Sequence, residues 1–184
     1  MTLLEMQQKV LRLIEEVSTN STKLTDDPDI AEKLNEVIDQ IQNELTRTKK
    51  IPTYTEESVS AGDEINLSES IDDFYQLNTI RYTNEDGEYL EYEIYDNLVI
   101  FPEDGIAKIY YYKYPEKITK ETAGTYEFEL SNDALECMPY GVAADVLKSD
   151  VSSNYGQIYA QRYEMMIQRL DTRYNTGSIY IEVD

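Results

Sequence analysis

The feature that most constrains the fold is the segment 132–174, where apolar and aromatic residues recur at helical spacing on both sides of a polar break at 149–154. In the first half these residues are Leu135, Met138, Val142 and Val146. In the second half they are Tyr155, Tyr159, Tyr163, Met166, Leu170 and Tyr174. The pattern predicts two amphipathic helices, each with a face that needs another element to cover it.

Three residues near the start of this segment carry further expectations. Asn132 or Asp133 is expected to cap the first helix. Pro139 predicts either a kink or a short turn over 133–138, with the proline opening the helix proper. Cys137 is the single cysteine of the chain, so it cannot form an internal disulfide, and its place in the apolar stripe predicts a small buried side chain.

The amino-terminal part of the chain has the same helical character. The spacing predicts one helix over 3–17 and a second that is capped by Asp27, begins at Pro28 and closes near Lys50. Cations at the end of that second helix are expected to complement its carbonyl groups rather than to bind phosphate. The apolar faces predict a bundle made from residues 1–50 and 132–175.

Between the helical parts, residues 51–131 have the alternation and turn residues of β-strands. Strands are predicted at 54–59, 64–67, 77–82, 89–95, 98–101, 106–114 and 126–130, with 70–75 as a helical turn or a loop. Together they predict an antiparallel β meander inserted into the bundle, an α+β fold. Tyr110, Tyr111 and Tyr112 alternate across the strand 106–114, so both of its faces are aromatic, and one face is expected to be covered or to meet another chain.

The last nine residues, 176–184, form a separate extended tail in this prediction. Its apolar residues alternate along a strand-like segment and are Ile179, Tyr180, Ile181 and Val183. A lone strand cannot satisfy its own hydrogen bonds, so the tail needs a sheet edge in this chain or in a partner.

Charge and composition exclude several classes of function. The formal net charge is -21 and there is no histidine, which removes Ser-His-Asp catalysis and histidine metal sites. We therefore predict no catalytic residues, no metal and no cofactor. So acidic a surface repels nucleic acid, and the charged amino terminus argues against a membrane span.

Two other functions compete with a purely structural one. Adjacent acids such as Glu56 and Glu57, Asp72 and Asp73, or Glu103 and Asp104 suggest glycosidase carboxylates, but neighbours on an extended chain point apart and solvated charge is favoured. The acidic loop at 84–88 does not have the spacing of a calcium loop. The stronger alternative is a ligand- or glycan-binding module with a tyrosine-rich β face. Its residues would be Tyr75, Tyr82, Tyr89, Tyr92, Tyr95, Tyr110 and Tyr112.

The order of these parts resembles a known family. An amino-terminal helical pair and a β insertion are followed by Ala134-Leu135-x-x-x-Pro139-Tyr140-x-x-Ala143-Ala144, then Asp150 and Tyr155-x-x-x-Tyr159-x-x-x-Tyr163. This layout is similar to that of the tailed-phage head-tail adaptor (connector) proteins. The resemblance covers nearly the whole chain, but its specific residues lie mainly in 132–174.

The resemblance implies a structural virion protein without catalysis, located in the neck between capsid and tail. Such proteins form rings, commonly of twelve copies, that join the portal to the tail and surround the DNA without binding it specifically. It also implies a contact between the terminal tail, at Ile179 to Val183, and the portal protein. Core packing and subunit packing stay equally open for the tyrosines at 155, 159 and 163. The residues predicted at subunit interfaces are Tyr155, Tyr159, Tyr163, Tyr110 and Tyr112.

Overall fold

A computed structural model describes residues 1–14, 28–149 and 154–174, and it confirms the α+β class. Within those ranges the α-helices are α1 (Leu3–Leu13), α2 (Pro28–Thr48), α3 (Leu67–Ser70), α4 (Asn132–Val146) and α5 (Tyr155–Tyr174), and a 3-10 turn, Leu147–Ser149, follows α4. The strands are β1 (Ile51–Val59), β2 (Asp63–Asn66), β3 (Phe74–Thr83), β4 (Glu93–Tyr95), β5 (Leu98–Phe101) and β6 (Gly105–Lys113).

The chain divides into two compact units. The helical unit comprises Met1–Lys49 and Lys117–Asp184, and the β unit is Lys50–Glu116. Residues 117–131 were predicted to belong to the β-rich region, but they lie in the helical unit. The reason is a set of hydrogen bonds to α1 and α2, in which Leu3 N donates to Tyr126 O at 2.8 Å and Ile118 N donates to Asp39 Oδ1 at 2.8 Å.

The first helix is fixed at its start by its own side chains. Thr2 Oγ1 accepts from Glu5 N at 3.2 Å and Glu5 Oε2 accepts from Thr2 N at 2.9 Å, a capping box that satisfies two otherwise unpaired backbone donors. The described helix ends at Leu13, so residues 15–17 of the predicted helix and the Asp27 cap lie outside the described residues. The second helix begins at Pro28, as predicted.

The fourth helix differs from prediction at its start, and its continuity excludes one of the two alternatives predicted for its proline. Ser131 occupies the cap position instead of Asn132 or Asp133, and α4 runs continuously from Asn132 to Val146 with Pro139 inside it. The alternative in which Pro139 opens the helix is therefore wrong. Residues on both sides of the proline are buried, among them Leu135, Met138 and Val142, so packing holds the helix together across the missing proline donor.

Asp133 does not occupy the cap position, and it forms an ion pair with Lys49 instead. Its Oδ2 accepts from Lys49 Nζ at 3.0 Å. Burial alone would raise the pKa of Asp133, but hydrogen bonds from Ser131 and Lys49 bring that pKa below its ordinary value. Cys137 is buried, as predicted, and its Sγ donates to Asp133 O at 3.2 Å.

The contact between α4 and α5 depends on a glycine. A Cβ atom added at Gly141 would lie 2.9 Å from Tyr163 Cε2 and 3.0 Å from Tyr163 Cζ. The Tyr163 ring therefore lies directly against the α4 backbone, and Tyr163 itself is 7% exposed. Only a residue without a side chain allows this approach.

The β unit is antiparallel, but its strands are not arranged as a meander. Among the described residues they form two three-stranded sheets, in the orders β1-β6-β3 and β2-β5-β4. The long strand β6 pairs with β1 on one edge and β3 on the other, so most neighbours in space are distant in sequence. Residues 89–92 contain an isolated bridge, Thr83 to Tyr89, instead of the predicted strand, and 126–130 contains only the bridge from Glu127 to Thr2.

A buried cluster joins the two sheets of the β unit. It includes Ile80 and Tyr82 from β3, Phe101 from β5, and Ala107, Ile109 and Tyr111 from β6. The Tyr82 and Phe101 rings meet edge to face at 5.0 Å. Tyr82 donates a short hydrogen bond to Glu103 O, and Tyr111 donates to Asp73 Oδ1 at 2.9 Å. Burial, together with this bond to Asp73, raises the pKa of Tyr111 to about 12.

Replacing Gly141 by Ala should reduce the free energy of unfolding by about 1–3 kcal/mol, because the new methyl group forces the Tyr163 ring to move. The loss should become smaller when Tyr163 is also replaced by Leu, since alanine is otherwise the better helix former. Urea unfolding of the four proteins of this double-mutant cycle measures the difference. Equal losses in both backgrounds would show that the Tyr163 ring is not what disfavours a side chain at position 141.

The raised pKa of Tyr111 predicts that the folded chain loses stability at alkaline pH, where this hydroxyl ionises. Its pKa is about 12 in the folded chain against an ordinary value of 10.0, so its contribution is complete below pH 10.0 and disappears as the pH rises towards 12. Tyr111→Phe should lose about 2 kcal/mol at pH 8 by removing a hydrogen bond to a carboxylate. Between pH 10 and 12 the difference from the unsubstituted protein should narrow. Urea unfolding at both ends of this range tests the prediction, which a constant difference would contradict.

Candidate interaction surfaces

Burial increases along α5 from Tyr155 through Tyr159 to Tyr163. Tyr155 is 49% exposed, Tyr159 is half-buried and Tyr163 is buried. Tyr159 Oη donates to Leu13 O at 2.7 Å, which ties α5 to the end of α1. Within the subunit, Tyr159 and Tyr163 are therefore packing residues, and Tyr155 is the member of the set that presents most surface.

An aromatic cluster continues this packing onto α4. The Tyr159 ring lies 6.1 Å from the Tyr140 ring and 6.3 Å from the Tyr155 ring. The Arg162 guanidinium lies 4.3 Å from the centre of the Tyr140 ring, within the range of a cation–π contact. Arg162 therefore contacts Tyr140 on α4 but remains exposed to solvent.

A groove of about 630 Å³ lies between α2, α4 and α5. Its apolar lining includes Ile41, Gly141, Ala144, Ala160, Tyr163 and Ile167, and its acidic side chains are Glu44, Asp145 and Glu164. The Tyr163 hydroxyl is buried and has no hydrogen-bond partner of acceptable geometry among the described residues. Burial and the nearby Glu44 carboxylate both raise the pKa of Tyr163 above its ordinary value.

The opposite side of α5 carries exposed apolar side chains. Ile158 is 53% exposed and Met165 is 55% exposed. They are seven residues apart and so share one face, while Met165 lies about 200° around the helix from Tyr163 by the 3.6-residue repeat. This exposed face of α5 also includes Arg162 and Arg169 by the same geometry. Apolar side chains that turn away from their own core indicate a contact surface.

A second surface lies on the outer side of the β1-β6-β3 sheet. Tyr110 and Tyr112 point to that side, whereas Tyr111 points into the core, which confirms the predicted alternation. Tyr54 lies opposite Tyr110 in the register, and their ring centres are 5.7 Å apart. We call Lys50, Tyr54, Lys108, Tyr110 and Tyr112 the tyrosine–lysine face.

Cations cover the rings of this face. Lys108 Nζ lies 4.0 Å from the centre of the Tyr54 ring and 5.8 Å from that of Tyr110. Lys50 Nζ lies 4.8 Å from the centre of the Tyr112 ring and donates to Gln76 Oε1 at 2.6 Å. The composition alone could not indicate Lys50, Lys108 and Tyr54, because only the strand register brings them to these tyrosines.

The tyrosines predicted for a glycan-binding face do not share one surface. Tyr82 is buried in the core, while Tyr110 and Tyr112 lie on the outer side of their sheet. Tyr75 packs on Tyr114 with ring centres 5.0 Å apart. Tyr95 belongs to β4 in the other sheet and is exposed.

The acidic residues considered as catalytic pairs have structural contacts instead. Asp73 accepts the Tyr111 hydroxyl, and Asp104 Oδ1 accepts from Ala61 N at 2.8 Å. Glu56 lies 3.9 Å from Lys108 Nζ. In the acidic loop, Asn84 Oδ1 accepts from Asp86 N and Glu88 N, so a turn uses this group.

Among the described residues, no group of three or more His, Cys, Asp or Glu side chains is placed to hold a metal ion. None of the described helices combines the length and apolar character needed to cross a membrane. The predicted tail residues Ile179, Tyr180, Ile181 and Val183 lie outside the described residues.

Comparison with known proteins identifies the family. A comparison with curated protein sequences found no match. The sequence profile of the SU10 adaptor protein family matches residues 1–180, nearly the whole chain and both of its units. The resemblance seen in the sequence is thereby confirmed, and the chain belongs to the SU10 adaptor protein family, a phage head-tail adaptor family whose members are structural proteins of the virion.

Proposed function

We propose that this protein forms an oligomeric ring of about twelve copies in the virion neck, where it joins the portal to the tail. The ring lines the DNA passage and carries out no catalysis. Family membership supports the structural role of an adaptor. The single observation that carries the ring is the exposed apolar face of α5, because Ile158 and Met165 turn away from their own core.

The groove between α2, α4 and α5 is the surface that this face fits. Its lining combines apolar side chains with three acidic ones, Glu44, Asp145 and Glu164, and one cation, Lys148, which lies 3.9 Å from Asp145. The exposed face of α5 has the matching character, since Ile158 and Met165 lie beside Arg162 and Arg169. Burying the two apolar side chains of one copy in the groove of the next removes them from water and brings arginines to carboxylates.

Two different surfaces of the same chain that fit one another make a head-to-tail contact. Such a contact repeats around an axis and closes into a ring if the rotation allows it. Tyr155, at the start of α5, is exposed and adds to the contact area of this face. Tyr163 contributes to the contact indirectly, because it lines the groove. Tyr110 and Tyr112 belong to a separate surface in the β unit.

The charge of the chain supports a passage for DNA. A formal charge of -21 on each copy gives a channel few counter-charges for phosphate, so the duplex passes without specific binding. In the same proposal, Ile179, Tyr180, Ile181 and Val183 contact the portal protein. The supporting observation is their alternation in the sequence, which is typical of a strand that completes a partner's sheet.

Met165→Glu should prevent assembly while leaving the subunit folded. The charge would be placed in the proposed apolar contact, whereas the free energy of unfolding should change by less than about 0.5 kcal/mol because the side chain is exposed. Gln40→Glu, an exposed change on α2, is the matched control and should assemble normally. Light scattering and electron microscopy measure the assembly. Rings from Met165→Glu, or a monomer that ignores the portal yet binds a glycan array, would contradict the proposal.

Deleting residues 176–184 tests the tail separately. The shortened chain should retain its thermal transition and form rings, but it should bind the portal protein more weakly in sedimentation experiments. Substituting Glu182 by Gln in the full-length chain is a milder control that keeps the alternating apolar residues. Unfolding of the shortened chain would show that the tail belongs to the subunit's own fold instead.

A further inference from the structure

The cations of the β unit are concentrated on one side of it. This unit has four of them, Lys50, Arg81, Lys108 and Lys113, against sixteen acidic residues. Lys108 lies between Glu56 on β1 and Arg81 on β3 in the strand register, and directly opposed residues share a face. Together with Lys50, this places three of the four cations on the outer side of the β1-β6-β3 sheet.

The tyrosine–lysine face holds its cations in defined positions. Lys108 is 4.0 Å from the centre of the Tyr54 ring, and its side chain is only 29% exposed, so the ring limits its freedom. Tyr54 is 56% exposed and lies on the edge strand β1. Glu56 Oε2 lies 3.9 Å from Lys108 Nζ, which shows that a carboxylate fits beside this ammonium group. A fixed cation next to exposed aromatic area can bind an acidic, partly apolar segment with little loss of entropy.

The same unit carries such a segment, residues 85–95, which we call the acidic segment. Its acidic side chains are all exposed and are Glu85, Asp86, Glu88, Glu91 and Glu93. Tyr89 lies between these acids, and Ile94 and Tyr95 follow the last of them; all three are exposed. This combination of carboxylates and apolar area is complementary to the tyrosine–lysine face.

The acidic segment lies on the β3 side of the sheet, where the Arg81 guanidinium of the same copy is 5.9 Å from the centre of the Tyr89 ring. It follows β3 and is attached there by the bridge from Thr83 to Tyr89 and by the hydrogen bond from Leu90 N to Tyr82 O at 2.9 Å. Tyr54 lies on β1, which is the opposite edge of the sheet order β1-β6-β3. Two complementary surfaces at opposite edges of one sheet favour contact between successive copies.

We infer that the tyrosine–lysine face of one copy binds the acidic segment of the next copy. The inference rests on the proposed ring and adds a contact between β units to the one between helical units. It gives Tyr110 and Tyr112 a role in subunit contact through the lysines that they hold. Duplex DNA is the less favoured occupant, because the sixteen acids of the same unit repel phosphate.

Cysteine cross-linking tests the contact directly. Ser58→Cys places a thiol on β1 and Glu91→Cys places one in the acidic segment, and both positions are exposed. Native Cys137 is buried and remains unmodified. With a short bismaleimide, the assembled double variant should give a ladder of covalent oligomers. Each single-cysteine variant should not, because a head-to-tail contact pairs different residues.

Charge reversal supplies the second measurement. Lys108→Glu in the double-cysteine background should reduce the cross-linked fraction by about tenfold, the effect of one well-placed charge pair. Lys120→Glu makes the same charge change at an exposed residue of the helical unit and should leave the ladder unchanged. Circular dichroism of each variant checks that the fold is intact.

The outcomes separate this inference from the ring itself. Rings seen by electron microscopy that give no ladder, or a ladder unaffected by Lys108→Glu, would overturn the inference and leave the ring intact. Duplex DNA binding that depends on Lys108, without any ladder, would overturn it in favour of the other occupant. A chain that stays monomeric at every concentration would contradict the ring first, and the contact between β units with it.

Discussion

The helical unit depends on a buried amide pair that joins α1 to α2 and then to the returning chain. Gln7 Nε2 donates to Asn35 Oδ1 at 2.8 Å, and Asn35 Nδ2 donates to Thr119 O at 3.0 Å. Both side chains are buried, so each needs these partners to offset the loss of water. Because Thr119 follows the whole β unit in sequence, this network holds the returning chain, which leads into α4, against the first helices.

In the ring that we propose, the contacts of so acidic a chain would bring cations to carboxylates. Both surfaces described above have this property, although they lie in different units. On α5, arginines lie beside Ile158 and Met165, and the groove has three acidic side chains. On the sheet, aromatic rings hold Lys50 and Lys108 in place. In the proposed ring, the overall charge keeps copies apart except where the few cations are positioned, and this arrangement would give the contacts orientation as well as affinity.

The sequence predicted the four long helices, apart from the cap of α4, because their signals are local, but the single turn α3 begins at Leu67, where a strand over 64–67 was predicted. Pro28, the apolar spacing of α5 and the stripe around Cys137 each depend on residues within a few turns. It was insufficient for the sheet order, since pairing β6 with both β1 and β3 is decided by packing between distant segments. Of the strand predicted at 89–95, only Glu93–Tyr95 is a strand in the structure, again because pairing between distant segments decides its length. Alternation separated Tyr111 from Tyr110 and Tyr112, but only the register could bring Lys108 to Tyr54.

In the sequence, the β unit lies between the two parts of the helical unit, and this order has a consequence during synthesis. The β unit is continuous, so all of its residues have left the ribosome when Glu116 emerges. The first two helices then still lack α4, against which both of them pack in the folded chain. Domains generally fold as units once their chain is complete. The tyrosine–lysine face can therefore form before the groove, which needs α5 for part of its lining, and the proposed helical contact would form only after α5 has been made.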